Sequence, residues 1–410
     1  MANKHGIGSL TVGAALALQA GLAFGQAGET VKIAFIDPQS GPFANIGQNI
    51  LRTFQMAAER ASAKGGVKYE VVAFDNKASP QESLTVLKSA IDQGFRYVAQ
   101  GNGSGAAAAI LDAINKHNER NPGKEVVFFN YAAVDPDLTN AKCSFWHFRF
   151  DADTSMKMEA MVTAMSEDPT VKKVYIIGQN YAHGQQVSKY AKEIIARKTP
   201  NVQVVGDELH PIGQVKDFSP YIAKIKQSGA DTVITGNWGQ DLALLIKAAK
   251  DAGLEAKFYT YYAGAQGTPT AIGNAMAGKI TTVYGSYSNL PGEFSQFRDA
   301  FHDKYKQDFS TSTVLHLFAE LQGAIAKAKS TDPVQVAKAM EGLTVRSYAG
   351  DIVMRAADHQ LQQPLFFATW QKTDAKQNYN VEETGNTFAL TKMYPAYVSS
   401  TPTSCQMKRP

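Results

Sequence analysis

The residues best placed to do chemistry lie in six loops that follow predicted β-strands. The loops read SGPFANIG, GNGSGAA, NYAAVDP, QNYAHGQ, GNWGQD and YYAGAQG. They are rich in Gly, Ala, Ser, Asn and aromatic residues, and they hold few acids, bases or cysteines. Small residues let backbone N–H groups approach a ligand, while Tyr and Trp rings can enclose it. This composition is typical of a binding cleft and not of a reaction centre.

Motifs for phosphate, dinucleotide or nucleophile chemistry are incomplete. The segment 273–279, GNAMAGK, nearly matches a phosphate-binding loop, but Ile280 stands where Ser or Thr would hold magnesium. It also precedes a predicted strand instead of following one, so we interpret it as a turn. Residues 101–105 are glycine-rich, yet Ala106 breaks the dinucleotide fingerprint, and Ser104 is not centred in Gly-x-Ser-x-Gly.

Histidines and acids do not form a recognisable catalytic or metal-binding pattern either. The eight His residues are scattered, and no His-Glu-x-x-His motif occurs. The segment Asp358-His359-Gln360 comes nearest to a catalytic cluster, and we interpret it as a polar turn between two late strands. We therefore predict no catalytic residue, no metal site and no cofactor.

Length and composition indicate a globular protein of two domains. The chain has 410 residues, of which 44% are hydrophobic and 10% aromatic. Lys and Arg number 41 against 37 Asp and Glu, a net charge of +4 with no long basic run. Nucleic-acid binding needs clustered positive charge, so we predict no nucleic-acid partner.

The first 27 residues have the pattern of a cleaved export signal. Lys4 precedes a mostly apolar run over 7–24, and small residues at Ala23, Gly25 and Ala27 suit cleavage after Gly25 or Ala27. The alternative is a membrane anchor, but the polar residues and three glycines of this run make a poor bilayer helix. We predict a signal peptide over 1–27 and a water-soluble periplasmic protein.

Export changes the interpretation of the two cysteines. Cys143 and Cys405 are the only ones in the chain, and disulfides persist in oxidising compartments. We predict that they are bonded, the alternative being two unpaired buried thiols. The C-terminal tail, 396–410, has an irregular composition, and the bond would hold it near Cys143.

Beyond residue 28, β-rich runs alternate with helical periodicity. Near-continuous apolar strands separated by helices predict parallel sheets that are covered on both faces. In the first half the strands are 31–37, 68–75, 95–101 and 125–131, and the pattern restarts at 172–179. The predicted fold class is α/β, with two similar lobes.

The last third of the chain must fold back onto these two lobes. We predict long helices over 293–306 and 312–329, a short helix after Pro333, and strands over 348–355 and 364–371. No low-complexity linker separates the halves, so we expect a hinge of paired strands.

In these loops the sequence resembles the periplasmic branched-chain amino-acid-binding family, the type I solute-binding proteins of ABC importers. SGPFANIG resembles that family's opening loop, and AAVDPDLT (132–139) is similar to its Ala-Ala-Thr-Asn-Pro-Glu-Leu-Thr segment. YAHGQ, VITGNWGQDLALLIKAAKDAGL and YAGDIVMRAADHQ follow in the family's order, so the resemblance covers nearly all of 29–395.

The resemblance implies two Rossmann-like lobes joined by three strands, with a ligand held between them. We expect lobe 1 to comprise 28–148 and 286–360, and lobe 2 to comprise 149–285 and 361–395. The resemblance also implies delivery of the ligand to ABC permease subunits in the membrane. We expect the protein itself to be a monomer.

The resemblance assigns ligand-binding residues to lobe 1. Ser104 would bind a ligand carboxylate through its hydroxyl and backbone N–H, with Gly105 beside it. Ala132 would offer its carbonyl, with Ala133 next to it. Val134 occupies the position where the family's amino-acid binders have a carboxylate-binding Thr, so one hydrogen bond to a charged group, about 1.5–3 kcal/mol, is missing.

The other assigned residues surround the ligand. Ser40 and Phe43 belong to the opening loop, and His183 and Trp238 stand at aromatic ligand contacts. The family's acid for the ligand's α-ammonium should lie close to Tyr262, and the sequence has none there. Asp241 could replace that acid, or it could simply complement a helix dipole.

These departures lead to the hypothesis that the ligand is not a plain α-amino acid. Six aromatic residues could enclose a flat aromatic or aliphatic carboxylate, and we expect about half of them to line the cleft. They are Tyr131, Tyr181, His183, Trp238, Tyr261 and Tyr262.

The leading prediction is a non-enzymatic solute-binding protein that captures a small amphipathic carboxylate, an aromatic acid or a hydrophobic amino acid. One alternative is a ligand-sensing module of a receptor or sensor. An exported hydrolase is a weaker alternative, because no nucleophile, base and orienting residue form a set.

Overall fold

The computed structural model describes Met1 and residues 28–410. The predicted signal peptide therefore lies, apart from Met1, outside the described residues. Within them, no helix combines the length and the apolar character that crossing a bilayer requires.

Fifteen strands and twelve α-helices alternate along most of this part of the chain. The strands are β1 Thr30–Asp37, β2 Lys68–Asp75, β3 Tyr97–Gln100, β4 Val127–Asn130, β5 His147–Arg149, β6 Lys173–Gln179, β7 Gln203–His210, β8 Thr232–Thr235, β9 Lys257–Thr260, β10 Ile280–Tyr284, β11 Thr344–Ser347, β12 Gly350–Met354, β13 Leu361–Gln362, β14 Leu365–Lys372 and β15 Asn386–Tyr394. The helices are α1 Ala44–Ala63, α2 Pro80–Asp92, α3 Ser104–Arg120, α4 Thr154–Ser166, α5 Ala182–Lys198, α6 Ser219–Ser228, α7 Gly239–Asp251, α8 Thr268–Ile272, α9 Glu293–Tyr305, α10 Thr313–Ala328, α11 Pro333–Met340 and α12 Ala396–Ser399.

Lobe 1 is built on a five-stranded parallel sheet in the order β2-β1-β3-β4-β5. Successive residues of a strand face opposite sides of a sheet, and β1 has apolar residues on both. Phe35 packs with α1, α9, α10 and α11, while Ala34 and Ile36 pack with α2 and α3. Both faces are covered, as the continuous apolar strands predict.

Lobe 2 is built on a seven-stranded sheet in the order β15-β14-β10-β9-β8-β6-β7. Five of these strands are parallel, while β14 and β15 join the edge in antiparallel pairing. Ile176 packs with α4 and α5 on one face, and Ile177 packs with α6, α7 and α8 on the other. The predicted parallel α/β architecture is confirmed, with two antiparallel strands added.

The chain passes between the lobes after β5, after β10 and after β13. Two of these crossings touch, because Arg149 pairs with Gln360 and the Gln363 side-chain amide donates to the Phe150 carbonyl at 2.7 Å. This agrees with the predicted hinge of paired strands. The residue boundaries given above for the lobes stay a prediction.

The C-terminal tail returns from lobe 2 to lobe 1. After α12, which packs on α4 of lobe 2, residues 400–410 contain no helix or strand. A disulfide joins Cys405 to Cys143, and Arg409 donates to Glu341 at 2.7 Å. The tail is therefore a fourth connection between the lobes, and it is covalently closed.

Candidate functional site

A cavity lies between the lobes, where strands end and helices begin. Its volume is about 130 Å³, and apolar atoms make up most of its wall. Residues of both lobes line it, namely Ile46, Ile50, Gly101, Asn102, Gly103, Ser104, Ala132, Ala133, Val134, Tyr181, His183, Trp238, Tyr261, Tyr262, Gly264, Ala265, Thr282, Tyr284, Ser286, Tyr287, Ser288, Phe294, Arg298, Asp308, Phe309, Ser310, Thr311, Tyr379, Val381, Glu382 and Phe388.

The N-terminus of α3 forms the polar part of the lobe 1 wall. Its N-cap residue, Gly103, provides no side-chain cap, and the backbone N–H of Ser104 finds no acceptor among the described residues. The Ser104 hydroxyl accepts a hydrogen bond from the Asp135 backbone N–H at 3.3 Å, and its own proton stays free to donate. Such a helix end favours an anion.

A buried carboxylate holds the loop that leads into α3. Asp37 accepts hydrogen bonds from the backbone N–H groups of Gly101 at 3.2 Å and Asn102 at 2.9 Å, and from the hydroxyl of Tyr131. Burial raises the pKa of Asp37 to about 7, although these donors oppose the shift. A Cβ on Gly101 would lie 2.5 Å from the Tyr131 ring, so only glycine fits there.

The segment after β4 adds backbone groups to the same wall. The Asn130 side-chain oxygen accepts from the N–H groups of Ala132 at 3.3 Å and Ala133 at 2.7 Å, which fixes the turn. The N–H of Val134 has no acceptor within the described chain. Val134 therefore lacks the hydroxyl of the family's Thr but still offers a backbone donor to the cavity.

Two aromatic N-cap residues form the wall of lobe 2. Tyr181 precedes α5 and Trp238 precedes α7, and neither provides a side-chain cap. The Trp238 indole N–H donates to the Tyr181 hydroxyl at 2.8 Å, so the hydroxyl proton of Tyr181 remains available to a ligand. Two further helix N-termini thus open toward the cavity.

His183 lines the cavity as a neutral ring. Its Nδ1 lies 2.7 Å from the Thr154 hydroxyl, and its Nε2 lies 3.2 Å from the Gly236 carbonyl oxygen. Burial, together with the charge of Lys157, lowers the pKa of His183 to about 3. Because both nitrogens have protein partners, His183 offers a ligand its ring carbons and no hydrogen bond.

The acids around the cavity already have protein partners. Asp241 accepts from the Gln179 side chain and from the Gly213 N–H, each at 2.8 Å. Asp308 accepts from Tyr379 at 2.9 Å, and Glu382 accepts from the N–H of Gly267 and from Thr270. Asp241 acts as a first-turn acid of α7, which is the second of its two interpretations.

The structure brings seven of the ten residues assigned from the sequence to the cavity wall. These are Ser104, Ala132, Ala133, Val134, His183, Trp238 and Tyr262. Ser40 instead donates its hydroxyl to Asp75 at 2.6 Å and is exposed. Gly105 faces Pro80 of α2, and Phe43 packs behind Trp238. The wall assignments remain proposals for ligand contact.

Five of the six aromatic candidates line the cavity, which is more than the expected half. They are Tyr181, His183, Trp238, Tyr261 and Tyr262. Tyr131 is the exception, because its hydroxyl turns inward to Asp37.

Sequence reasoning missed the part of the wall that runs from the last residue of β10 to the start of α10. This part includes Tyr284, Ser286, Ser288, Ser310 and Thr311. The run YGSYSN at 284–289 has the same Gly, Ser, Tyr and Asn composition as the six loops, so that signal could have found it. Among the described residues, no group of three His, Cys, Asp or Glu side chains is arranged to hold a metal ion.

Comparisons with known proteins give the relatives of this chain. The profile of a family described as "Periplasmic binding protein" matches residues 30–376. The Leu/Ile/Val-binding protein homolog 4 of Brucella abortus is 33% identical over 97% of this chain and 97% of its own length. A closed-conformation crystal structure of a leucine-, isoleucine-, valine-, threonine- and alanine-binding protein from Brucella ovis is 30% identical, with a TM-score of 0.83 over 93% of this chain and 100% of the other.

A further structural neighbour carries an aromatic ligand. It is a solute-binding protein of an ABC transporter from Rhodopseudomonas palustris, in complex with p-hydroxybenzoic acid. It is 20% identical, with a TM-score of 0.75 over 90% of this chain and 98% of the other, and at that identity the likeness concerns the fold.

Proposed function

This chain belongs to the periplasmic binding protein family, and from that premise we propose that it is the solute-binding protein of an ABC importer. It works in the periplasm, captures a small amphipathic carboxylate between its lobes, and delivers it to a permease. The ligand is an aromatic acid or a hydrophobic amino acid, and we favour an acid that carries no α-ammonium.

The observation that carries this proposal is the excess of hydrogen-bond donors on the cavity wall. The N-termini of α3, α5 and α7 open toward it without side-chain caps. The hydroxyl protons of Ser104 and Tyr181 add two donors that the protein does not use. Donors and positive helix ends together favour an anionic ligand group, and a carboxylate fits them.

The rest of the wall suits an apolar body behind that carboxylate. Trp238, Tyr261, Tyr262 and Phe388 provide aromatic surface, which packs well against a flat ring. The wall acids, Asp308 and Glu382, already accept hydrogen bonds from protein donors, so a ligand ammonium would have to compete with those donors for them. An ammonium buried with few free acceptors is costly, which supports the preference for a simple acid.

Capture requires the lobes to close around the ligand. The connections after β5, β10 and β13 allow a hinge motion, and closure brings Phe43 of lobe 1 onto Trp238 of lobe 2. The closed form then meets the permease. No catalytic step is part of the proposal. His183 could act as a base for Ser104 only through a ring nitrogen, and both of its ring nitrogens bond instead to Thr154 and Gly236.

The direct test is calorimetry on the purified protein after unfolding and refolding, which removes retained solute. The ligands are benzoate, 4-hydroxybenzoate, cinnamate, leucine, isoleucine and valine, with methyl benzoate as an uncharged control of the same shape. We expect at least one aromatic acid to bind with a dissociation constant of about 1 μM or below, and methyl benzoate not to bind. Tight leucine binding with no response to the acids would defeat the preference for a simple acid. Absence of binding by every compound would contradict the proposed ligand class.

Delivery needs its own experiment in cells. Uptake of the radiolabelled ligand identified by calorimetry should fall to background when the gene is deleted, and the intact gene should restore it. A deletion strain that takes up the ligand normally but no longer responds to it would favour a sensing module instead.

A further inference from the structure

A buried lysine lies directly behind the tyrosines of the cavity wall. Lys157 belongs to the first turn of α4, and its side chain has no exposure to solvent. Its Nζ lies 4.6 Å from the ring centre of Tyr262, 4.9 Å from that of Tyr284 and 5.9 Å from that of Tyr261. These distances place the ammonium within cation–π range of three rings.

The counter-charge of Lys157 is Asp151, on the segment that crosses from β5 to α4. The Lys157 ammonium donates to Asp151 Oδ2 at 2.7 Å, and neither side chain is exposed. The Tyr262 hydroxyl lies 3.3 Å from the same oxygen and 3.4 Å from the Ala132 carbonyl oxygen. Tyr262 therefore touches both the buried ion pair and the backbone of the cavity wall.

The three rings have two sides with different neighbours. Tyr261, Tyr262 and Tyr284 line the cavity, and the same rings surround the Lys157 ammonium. The ammonium is thus one aromatic layer away from the cavity. In a poorly solvated site, it attracts a ligand carboxylate and repels a ligand ammonium, and Asp151 at 2.7 Å offsets part of both effects.

We propose that Lys157 determines the ligand class. Its ammonium occupies the Asp151 carboxylate and the aromatic faces, which are the groups that a ligand ammonium would need. The cavity then selects carboxylates that carry no α-ammonium. This inference rests on the proposed function, since it concerns the specificity of the same cavity.

Several neighbouring groups favour the charged form of the ion pair. Burial lowers the pKa of Lys157 and raises the pKa of Asp151, and the attraction between the two side chains opposes both shifts. The rings stabilise the ammonium, and the Tyr262 hydroxyl stabilises the carboxylate. Asp151 Oδ1 has no donor within the described chain. Removal of Lys157 would therefore leave a buried negative charge with no positive partner and only the Tyr262 hydroxyl as a donor.

The first test uses the unaltered protein and matched ligand pairs. 3-Phenylpropanoate is compared with phenylalanine, and 4-methylpentanoate with leucine, because each pair shares its carbon skeleton and carboxylate and differs in the ammonium. We expect the simple acid of at least one pair to bind about 10-fold more tightly than its amino acid or better. Amino acids that bind as tightly as their simple acids would overturn the inference.

The second test changes the lysine. Lys157→Met removes the charge at nearly constant volume, and we expect the preference for the simple acid to shrink by about 10-fold or more. The matched control, Asp151→Asn with Lys157→Met, removes both charges and should not favour the amino acid. A purely structural role would weaken both members of a pair equally, and an unchanged preference ratio in a folded Lys157→Met protein would refute our assignment.

The two proposals can fail separately. If no carboxylate binds to the unaltered protein, the proposed function fails. If simple acids bind but the ratio does not respond to Lys157, only the role of Lys157 fails. Should Lys157→Met not fold, the double variant with Asp151→Asn, which leaves no buried charge unpaired, gives the ratio instead, and an unchanged preference for the simple acid there would refute the assignment.

Discussion

The ring of Phe43, at the start of α1 in lobe 1, lies 4.3 Å from the indole of Trp238 in lobe 2, centroid to centroid. A Cβ on Gly239 would meet the Phe43 ring at 3.1 Å, so the ring packs closely on the first turn of α7. Phe43 thus links the lobes without lining the cavity.

Phe43→Ala should weaken ligand binding mainly through the dissociation rate. The substitution removes an aromatic contact between the lobes, and on the proposed closure that contact holds the bound state together, so we expect about 10-fold faster release. Stopped-flow displacement with the identified ligand measures this rate. Phe95→Ala is the control, because Phe95 packs with Phe74 on the far face of the lobe 1 sheet. The control should lower stability and leave release unchanged; equal release from both variants would contradict the closure role of Phe43.

Ser104→Ala should reduce affinity for the carboxylate ligand by about 10- to 100-fold. The lost hydrogen bond to a charged group corresponds to roughly 1.5–3 kcal/mol. Calorimetry measures the change, and Ser89→Ala, an exposed serine on α2, serves as the control and should bind like the unaltered protein. An unchanged affinity in Ser104→Ala would place the carboxylate elsewhere on the wall.

Cys405→Ser should lower the free energy of unfolding. The bond to Cys143 spans 262 residues, and closing so long a loop stabilises by up to about 5 kcal/mol on the chain-entropy estimate. Urea unfolding followed by circular dichroism measures the loss. The double variant Cys143→Ser with Cys405→Ser should match the single variant, because both lack the same bond. Equal stability with and without the bond would show that the disulfide does not stabilise the fold.

Stability should fall as the pH rises from about 5 to about 8, and Glu320 should cause part of that fall. Glu320 on α10 is fully buried, and neither carboxylate oxygen has a partner in the described chain. Burial raises the pKa of Glu320 to about 8, with Lys327 opposing the shift. The folded protein therefore keeps a proton that the unfolded chain has released, and stability decreases by roughly 1.4 kcal/mol per pH unit in that range.

Glu320→Gln should flatten this pH dependence. The amide has nearly the same shape and does not ionise, so we expect it to gain stability relative to the unaltered protein at pH 8 and to differ little at pH 5. Urea midpoints across this pH range provide the measurement. Parallel curves for the two proteins would mean that Glu320 does not titrate as its surroundings suggest.

The spacing of apolar residues in the sequence predicts much of the fold, and the composition of the loops predicts part of the site. The strand over 31–37 and the helix over 312–329 follow from apolar spacing, and the structure has β1 and α10 there. The six loops converge on one cavity region because the ends of parallel strands meet at one edge of a sheet. Loop composition thus pointed to the binding cleft, whereas the individual residues Ser104 and Trp238 were assigned through the resemblance to the family.

Other features depended on contacts that a single sequence does not reveal. Lys157 stands in the run TSMKMEAMVTAMS, where a lysine would ordinarily reach solvent, and its pairing with Asp151 and with three tyrosine rings allows it to be buried. The Tyr131 hydroxyl donates to Asp37 at the end of β1, and this contact, which the sequence does not reveal, turns the side chain away from the cavity. The antiparallel strand β15 was missed because its residues 390–393 face solvent in part and give no clear alternation.

The path of the tail has a practical consequence for measuring the hinge motion. Arg409 bonds to Glu341 and Ala356, and the Gly28 N–H donates to the Gly66 carbonyl, so both sites belong to lobe 1. A sensor surface or fluorophore attached beside either residue would hold or mark one lobe and leave lobe 2 free to swing. Two fluorophores, one beside Arg409 and one on the exposed face of α7, would then measure the distance between the lobes, which should change when the proposed ligand binds.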